Sequence, residues 1–303
     1  MKTSPFKPQV DLLLEVLPLV SKEKSFALKG GTAINLFVRD LPRLSVDIDL
    51  TYLGNEARAE ALAKVHEAVH RIKTNIERTI VGAKANPSRS QGLDADVKLF
   101  IEKKGVQIKI EASPVMRGVV LPVETRTLVP KAVDLFEVEI DTPVVNLGDL
   151  YGGKLVAALD RQHPRDLFDV KLLREFEGLT KDIRDGFLTY LLGHPRPFHE
   201  VLKPTLLDQR KAFDSQFKGM TNIIFEYAEF ESVRTHLIND IADGLTSNEK
   251  KLLLTFTEGS PDWSTAPLPN IKELPAVTWK LMNIQKMDTE KRKKMIAALE
   301  DIF

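Results

Sequence analysis

Residues 26–53, FALKGGTAINLFVRDLPRLSVDIDLTYL, decide the fold of this chain. They predict a short buried strand over residues 26–28, a glycine turn, a helix that Thr32 opens, a basic turn and a second strand. Polar and apolar residues alternate over residues 45–50, as they do in a strand with one buried face. The segment therefore predicts a strand–turn–helix–strand unit with charged residues on its second strand.

The glycine turn and the second strand carry the residues with the clearest chemistry. Gly30 and Gly31 precede a helix, where exposed backbone N–H groups and the helix dipole favour an anion such as phosphate. Asp47 and Asp49 share one strand face, roughly 7 Å apart along the chain. Carboxylates beside a phosphate cradle can hold Mg²⁺, which takes oxygen ligands. The residues by themselves predict Mg²⁺-dependent phosphoryl or nucleotidyl transfer.

At these positions the sequence resembles a known family. The pattern GGT…R-x-S-x-D-x-D is similar to the first motif of nucleotidyltransferases with the DNA polymerase β fold. Its form GGTA…R-x-S-x-DIDL most resembles the AbiEii/AbiGii toxin group, which includes the mycobacterial MenT enzymes. The resemblance implies an α+β fold, with a polymerase β-like mixed sheet flanked by helices and a mainly helical C-terminal part. It implies catalytic, metal-binding Asp47 and Asp49, and a nucleotide site that includes Gly30, Gly31, Thr32, Arg43 and Ser45.

A predicted hairpin, residues 96–101 and 106–111, supplies a third acid. Glu111 shares a strand face with Gln107 and Lys109, opposite the apolar face. One interpretation is an exposed strand carboxylate, because buried Glu is rare. The resemblance implies instead that Glu111 belongs to the second family motif, faces the two aspartates, completes the metal site and helps to activate the attacking hydroxyl.

Residues 154–169 match the pattern K-L-x-A-x-x-x-R-x-x-x-R-D-x-x-D, which resembles the third and fourth motifs of the same group. The resemblance implies that Lys154 reaches the triphosphate as a point charge and that Asp169 is an active-site acid. Arg165 and Asp166 would bind the nucleotide. The alternative for Arg165 and Asp166 is a structural pair that holds two helices together, since many ion pairs are only structural.

Residues 66–70, HEAVH, match the H-E-x-x-H pattern, in which two histidines one helical turn apart bind zinc. Basic residues decorate the same predicted helix, and no third ligand follows at a recognisable spacing. The favoured interpretation is a solvated helix flank, so zinc protease chemistry is rejected. Composition further predicts a loop over residues 83–93, and the pattern of residues 135–140 predicts a strand.

Composition bounds the remaining possibilities. Lys plus Arg and Asp plus Glu both total 43 in 303 residues, which argues against a protein that coats nucleic acid by charge alone. The resemblance to the toxin group implies that eight basic residues within 71–104 would meet the phosphates of an RNA acceptor. The chain has no cysteine, no apolar run approaching the roughly 20 residues of a membrane span, and acidic residues within its apolar N-terminal segment. We expect a cytoplasmic protein without membrane contacts.

The resemblance implies a toxin of a type IV-like toxin–antitoxin or phage-defence system. Such an enzyme would move a nucleoside monophosphate from an NTP to an RNA acceptor, the tRNA 3′ end by analogy with the MenT branch, and so block translation. We expect a nucleotidyltransferase domain over residues 1–180, a helical domain over 181–303, a two-ion Mg²⁺ site and a winged-helix antitoxin. The alternatives are a protein or small-molecule acceptor, or a non-catalytic partner-binding module.

Overall fold

A mixed β-sheet is the central element of the computed structural model, which describes residues 3–92 and 94–303. The strands in chain order are β1 (Phe26–Lys29), β2 (Asp47–Tyr52), β3 (Lys84–Arg89), β4 (Asp96–Lys103), β5 (Val106–Ala112), β6 (Glu124–Thr127) and β7 (Asp141–Val144). In the described chain their order across the sheet is β3-β4-β5-β2-β1-β7-β6. The pairs β2–β5 and β1–β7 are parallel, and the other neighbours are antiparallel. The predicted α+β class is confirmed.

The chain divides into two units. The first consists of Met1–Asn146 and Phe217–Ile224 and contains the sheet. The second consists of Leu147–Gln216 and Phe225–Phe303 and is helical. The predicted functional boundary near residue 180 stays a prediction.

The first unit also contains helices. They are α1 (Lys7–Val20), α2 (Gly30–Ala33), which continues as a π-helix over Ile34–Val38, α3 (Arg58–Thr79) and α4 (Pro130–Phe136). Helix α3 packs on β3 and β4 through Val65, Val69, Ile72 and Ile76, which recur at helical spacing and are buried. Helix α1 packs on β5, so the opposite face of β2 and β5 is left for polar side chains.

The helix after β1 begins at Gly30, two residues before the predicted start at Thr32. Gly30 has a φ of +71°, a left-handed conformation that turns the strand directly into the helix. The following turn is a π-helix, closed by a hydrogen bond from the Arg39 N–H to the Ile34 carbonyl (2.8 Å). Such π-turns are frequent at functional sites.

Two predicted segments are wrong. Residues 84–89 form strand β3 within the predicted loop, and Pro87 is tolerated there because β3 lies at the edge of the sheet. The segment predicted as a strand over residues 135–140 instead begins inside α4, which ends at Phe136 and is followed by Glu137 with a left-handed φ of 57°. Pairing with β4 makes residues 84–89 a strand, which their composition did not indicate. A short alternating segment such as residues 135–140 does not by itself separate strand from helix.

Residues 217–224 belong to the first unit because they pair with the basic turn before β2. The Leu44 N–H donates to the Met220 carbonyl (2.7 Å). The Thr221 hydroxyl donates to the Pro42 carbonyl (2.7 Å), 179 residues away in sequence. Arg43 and Thr221 form an isolated antiparallel bridge. The turn that leads into the two aspartates is thus held by a segment without any sequence motif.

The second unit is a set of helices. They are α5 (Leu147–Arg161), α6 (Pro164–Glu175), α7 (Lys181–Gly193), α8 (Phe198–Leu202), α9 (Arg210–Gln216), α10 (Tyr227–Gly244), α11 (Ser247–Thr257), α12 (Pro275–Gln285) and α13 (Thr289–Glu300). Helices α5 and α7 approach closely at Gly152, where a Cβ would lie 2.3 Å from the Gly186 carbonyl carbon. This contact explains Gly152, and a Cβ on the neighbouring Gly153 would lie 2.9 Å from the Tyr190 ring. None of the described helices has the length and apolar character that crossing a bilayer requires.

Candidate active site

The register of three neighbouring strands gathers charged side chains on one face of the first unit's sheet. Asp49 of β2 lies opposite Lys29 of β1 and Glu111 of β5, and Asp47 lies opposite Lys109. Neighbouring strands are about 4.8 Å apart, so these groups form a contiguous charged patch. The alternate residues Ile48 and Ile110 are buried on the other face. The structure thus brings together the three predicted acids, Asp47, Asp49 and Glu111.

Lysines hold the third acid in its ionised form. The Lys109 amine donates to Glu111 Oε2 (2.7 Å), and the Lys98 amine lies 3.1 Å from Glu111 Oε1. Partial burial would raise the pKa of Glu111, but these contacts outweigh it and hold that pKa below its ordinary value. Lys109 in turn has a raised pKa: burial would lower it, and the charges of Glu111, Asp47 and Asp49 outweigh that effect.

Lys29 is a third cation beside these acids. Burial lowers its pKa, and the charges of Asp49 and Glu111 offset that effect only in part. The sequence motif does not include Lys29, which ends an apolar strand directly before the Gly30 turn. Its place beside Asp49 comes from the antiparallel register of β1 and β2.

The glycine turn approaches the carboxylates too closely for a larger residue. A Cβ on Gly30 would lie 2.6 Å from Asp49 Oδ2, and one on Gly31 would lie 2.7 Å from an Arg43 guanidinium nitrogen. Both glycines therefore let the backbone lie directly against the charged residues. The predicted phosphate cradle stands next to Asp49.

Buried hydrogen bonds fix this turn to β2. The Thr32 hydroxyl donates to the Asp47 carbonyl and lies 3.0 Å from the Ser45 hydroxyl. Arg43 is 2% exposed and donates to the Leu44 carbonyl (2.9 Å). Thr32 and Ser45 are also buried, so these three predicted nucleotide-binding residues support the turn and β2 from inside the protein. Direct contact of Thr32, Arg43 and Ser45 with a nucleotide stays a prediction.

Three of the remaining predicted site residues, Lys154, Asp166 and Asp169, form a buried ion cluster in the second unit, and Arg165 lies in the first turn of α6. The Lys154 amine of α5 lies 2.7 Å from Asp166 Oδ1 and 3.0 Å from Asp169 Oδ2, and both aspartates lie on one face of α6. Lys154 is 6% exposed and Asp169 is fully buried. Arg161 donates to Asp166 through Nε (2.6 Å) and NH2 (3.0 Å). Asp166 therefore links α5 to α6 through Lys154 and Arg161, whereas the structural alternative names Arg165 as its partner.

The ionised form of Asp166 is strongly favoured in this cluster. Burial would raise the pKa of Asp166, but Lys154 and Arg161 outweigh burial and hold that pKa well below its usual range. Helix α6 begins beside it with His163 as N-cap, whose Nδ1 accepts a hydrogen bond from the Arg165 N–H (3.2 Å). Burial lowers the pKa of His163, which keeps this ring neutral and able to accept.

A family model described as nucleotidyl transferase AbiEii toxin, type IV toxin–antitoxin system, matches residues 11–267. This chain belongs to the AbiEii family. Among solved structures it is similar to MenT4, a nucleotidyltransferase toxin from Mycobacterium tuberculosis H37Rv, with a TM-score of 0.60 and 15% identity over 96% of this chain and 91% of that one. At this identity the similarity shows a shared fold. A comparison with curated protein sequences gives no significant match.

Membership assigns this AbiEii protein to the nucleotidyltransferase toxins. A nucleoside triphosphate substrate and an antitoxin partner follow from the family, whose enzymes generally use a divalent metal. Asp47 and Asp49 fit such an ion by donor type and by their shared strand face. Glu111 is engaged by Lys98 and Lys109, and in the described chain the three carboxylates do not form a group with all ligand oxygens within 4.8 Å of one another.

Ion pairs neutralise much of the basic stretch 71–104 in this AbiEii protein. Five of its eight cations lie near carboxylates, in the pairs Arg71–Glu23, Lys73–Glu77, Arg89–Asp96, Lys98–Glu111 and Lys103–Glu15. Surface pairs of this kind weaken attraction to phosphates. The stretch is therefore less basic in the fold than its composition indicates.

Proposed function

We propose that this AbiEii toxin transfers a nucleoside monophosphate from an NTP to the 3′-terminal hydroxyl of tRNA, with Mg²⁺ as the metal. The observation that carries the proposal is the shared face of Asp47, Asp49 and Glu111 beside the Gly30 turn. This arrangement pairs anionic metal ligands with a backbone cradle for phosphate. Two carboxylates on one strand suit the transfer of a phosphoryl group to a hydroxyl, because they can hold a metal ion that binds the phosphate oxygens.

The reaction balances as an in-line displacement. The acceptor hydroxyl oxygen forms a bond to the α-phosphorus while the bond to the bridging oxygen of the β-phosphate breaks, and pyrophosphate leaves. Asp47 and Asp49 would hold Mg²⁺, with Glu111 as a further ligand, and the bound metal would neutralise charge on the phosphoryl oxygens. Glu111 is our candidate acceptor for the hydroxyl proton, and it can take that role once Lys109 withdraws from it.

The backbone at Gly30 and Gly31 would receive the triphosphate. Thr32, Arg43 and Ser45 would act by holding this turn in place, since their polar groups are buried beneath it. Lys154, Arg165, Asp166 and Asp169 enter the proposal through the family resemblance. We assign Lys154 to the charge of the triphosphate and Asp169 to the positioning of Lys154, which the 3.0 Å contact between them supports.

The biological role follows from this chemistry. A nucleotide added to the 3′ end of tRNA would block aminoacylation and so translation, which suits a toxin used in phage defence. Its substrates are cytoplasmic, so we place the enzyme there. A winged-helix antitoxin would neutralise it, and residues 181–303 would form a helical domain after a catalytic domain of residues 1–180.

The test is to incubate the purified protein and Mg²⁺ with each labelled NTP, first with total RNA and then with total protein. Label on the tRNA 3′ end, lost on periodate treatment of the RNA beforehand, is the expected result. Label confined to protein or to a small molecule would replace tRNA with that acceptor and leave the nucleotidyltransferase assignment intact. Asp47→Asn is the control variant, because it removes a metal ligand and keeps the shape of the side chain.

A further inference from the structure

Two histidines of α3 and one aspartate of β4 meet at the surface of the first unit. His70 Nε2 lies 2.9 Å from Asp96 Oδ2, and His66 Nδ1 lies 3.5 Å from the same oxygen. The two imidazole rings stand one helical turn apart with their centroids separated by 4.4 Å. In the described chain these three residues are the group of His or carboxylate side chains whose ligand atoms all lie within 4.8 Å of one another.

We propose that His66, His70 and Asp96 bind a transition-metal ion of the zinc type. Two imidazoles and a carboxylate are typical ligands of Zn²⁺, whereas Mg²⁺ prefers oxygen ligands alone. Three protein ligands leave a fourth position open to water. The site is distinct from Asp47, Asp49 and Glu111 in both its residues and its donor chemistry.

The spacing suits a tetrahedral ion. Ligand atoms about 2.0–2.2 Å from a tetrahedral zinc lie roughly 3.3–3.5 Å from one another. The distance from His66 Nδ1 to Asp96 Oδ2 is 3.5 Å, which is already within this range. The distance from His70 Nε2 to the same oxygen is 2.9 Å, which is shorter because the two atoms form a direct hydrogen bond. The ion would replace that hydrogen bond and the one from the Asp96 N–H to His66 Nδ1 (3.1 Å).

The scaffold around the three ligands is ordered by the core. Helix α3 is anchored by its buried apolar stripe, and Asp96 begins β4, which pairs with both β3 and β5. The imidazole side chains are 38% and 43% exposed, so an ion has access from solvent. Bound metal would tie α3 to the start of β4, and it would stabilise the native state because unfolding separates the ligands.

The same geometry separates this site from a zinc protease. Glu67, the acid of the H-E-x-x-H pattern, has a side chain that is 68% exposed and lies 3.8 Å from the Arg71 guanidinium. Because Glu67 pairs with Arg71, we do not assign it as the base for a metal-bound water. The third ligand, Asp96, follows His70 by 26 residues and has no motif spacing, which is why the sequence pattern alone did not reveal it.

Metal titration of the chelator-treated full chain tests the proposal. We expect one Zn²⁺ per chain by calorimetry, a rise in melting temperature, and visible absorption bands when Co²⁺ replaces Zn²⁺. His70→Ala and Asp96→Ala should each weaken Zn²⁺ binding by at least about tenfold. Loss of a residue that only hydrogen-bonds to a metal ligand already lowers metal affinity by about that factor. Glu67→Gln is the matched control on the same helix and should bind like the wild type.

Two further variants separate this site from the transferase site. Asp47→Asn with Asp49→Asn should retain full Zn²⁺ affinity, and His66→Ala should lose Zn²⁺ and keep nucleotidyltransferase activity with Mg²⁺. Absence of binding at up to about 100 μM Zn²⁺ would overturn the proposal. So would binding that persists in His70→Ala and Asp96→Ala, because the ion would then lie elsewhere. Circular dichroism of each metal-free variant confirms that it is folded.

Discussion

Asp49 lies directly opposite Glu111 on the parallel strands β2 and β5, with both carboxylates on one face of the sheet. Like charges at opposed positions on neighbouring strands are destabilising. Lys29, Lys98 and Lys109 surround the two acids and offset this repulsion. A fold selected for stability alone has no need of such a pair, so the pairing is a mark of function.

Replacement of either strand aspartate should separate activity from stability. Asp47→Asn or Asp49→Asn should reduce nucleotide transfer by about 10³-fold or more, because each removes a charged metal ligand. Their melting temperatures should stay near that of the wild type, since Lys29, Lys98 and Lys109 keep Glu111 and the remaining aspartate beside them. Transfer rates with labelled NTP and thermal unfolding measure the two effects. An active Asp49→Asn variant would contradict the assigned site.

Lys109 should set the pH dependence of the reaction. Lys109 holds the pKa of Glu111 below its ordinary value, so Lys109→Met should raise that pKa. A base must be ionised to act, and the acid limb of the kcat/KM profile should therefore move to higher pH. Lys98→Met should move it in the same direction, because Lys98 pairs with the other carboxylate oxygen. An acid limb that stays in place in both variants would remove Glu111 as the base.

Gly30 and Gly82 offer a matched comparison. Both have a positive φ, +71° and +79°, but a Cβ meets Asp49 at Gly30 and meets nothing within 4 Å at Gly82. Gly30→Ala and Gly82→Ala should each cost about 1–2 kcal/mol from backbone strain. Only Gly30→Ala should also lose transfer activity, by displacement of Asp49. Equal activity in the two variants would place the phosphate cradle elsewhere.

Lys154 should matter for folding as well as for activity. Lys154→Met leaves Asp166 and Asp169 buried near each other without their shared cation, which should cost about 3–5 kcal/mol. Asp169→Asn keeps Lys154 paired with Asp166 and should cost less. Both tryptophans, Trp263 and Trp279, lie in the second unit, so their fluorescence during urea unfolding reports on it. Equal stability of the two variants would contradict a buried ion cluster.

His163 should make the second unit less stable in acid. Its folded pKa is depressed below the unfolded value of about 6.5, so its stabilising contribution is present above that pH and is lost as pH falls through the folded pKa. Protonation of Nδ1 would break the N-cap of α6, with a loss on the order of 1 kcal/mol. His163→Asn keeps a capping oxygen that does not titrate. Urea midpoints of this variant should fall less than those of the wild type between about pH 7 and pH 5.

The sequence by itself determined the local features of this protein. The alternation that puts Asp47 and Asp49 on one strand face, the glycine turn before a helix and the i,i+3 spacing of Asp166 and Asp169 depend on neighbours within a few residues. Backbone periodicity is enough to predict them. The family resemblance rests on the same residues, and the family match confirms it.

Only the tertiary structure decided which distant residues surround these features. Strand register brings Lys29 to Asp49, Lys98 to Glu111 and Lys109 to Asp47. Asp96 reaches His66 and His70 because β4 packs beside α3. Register and packing depend on how the whole chain buries its apolar surface and pairs its backbone groups. No periodicity within one segment contains that information, since a shift of one residue would turn every side chain of a strand to the other face.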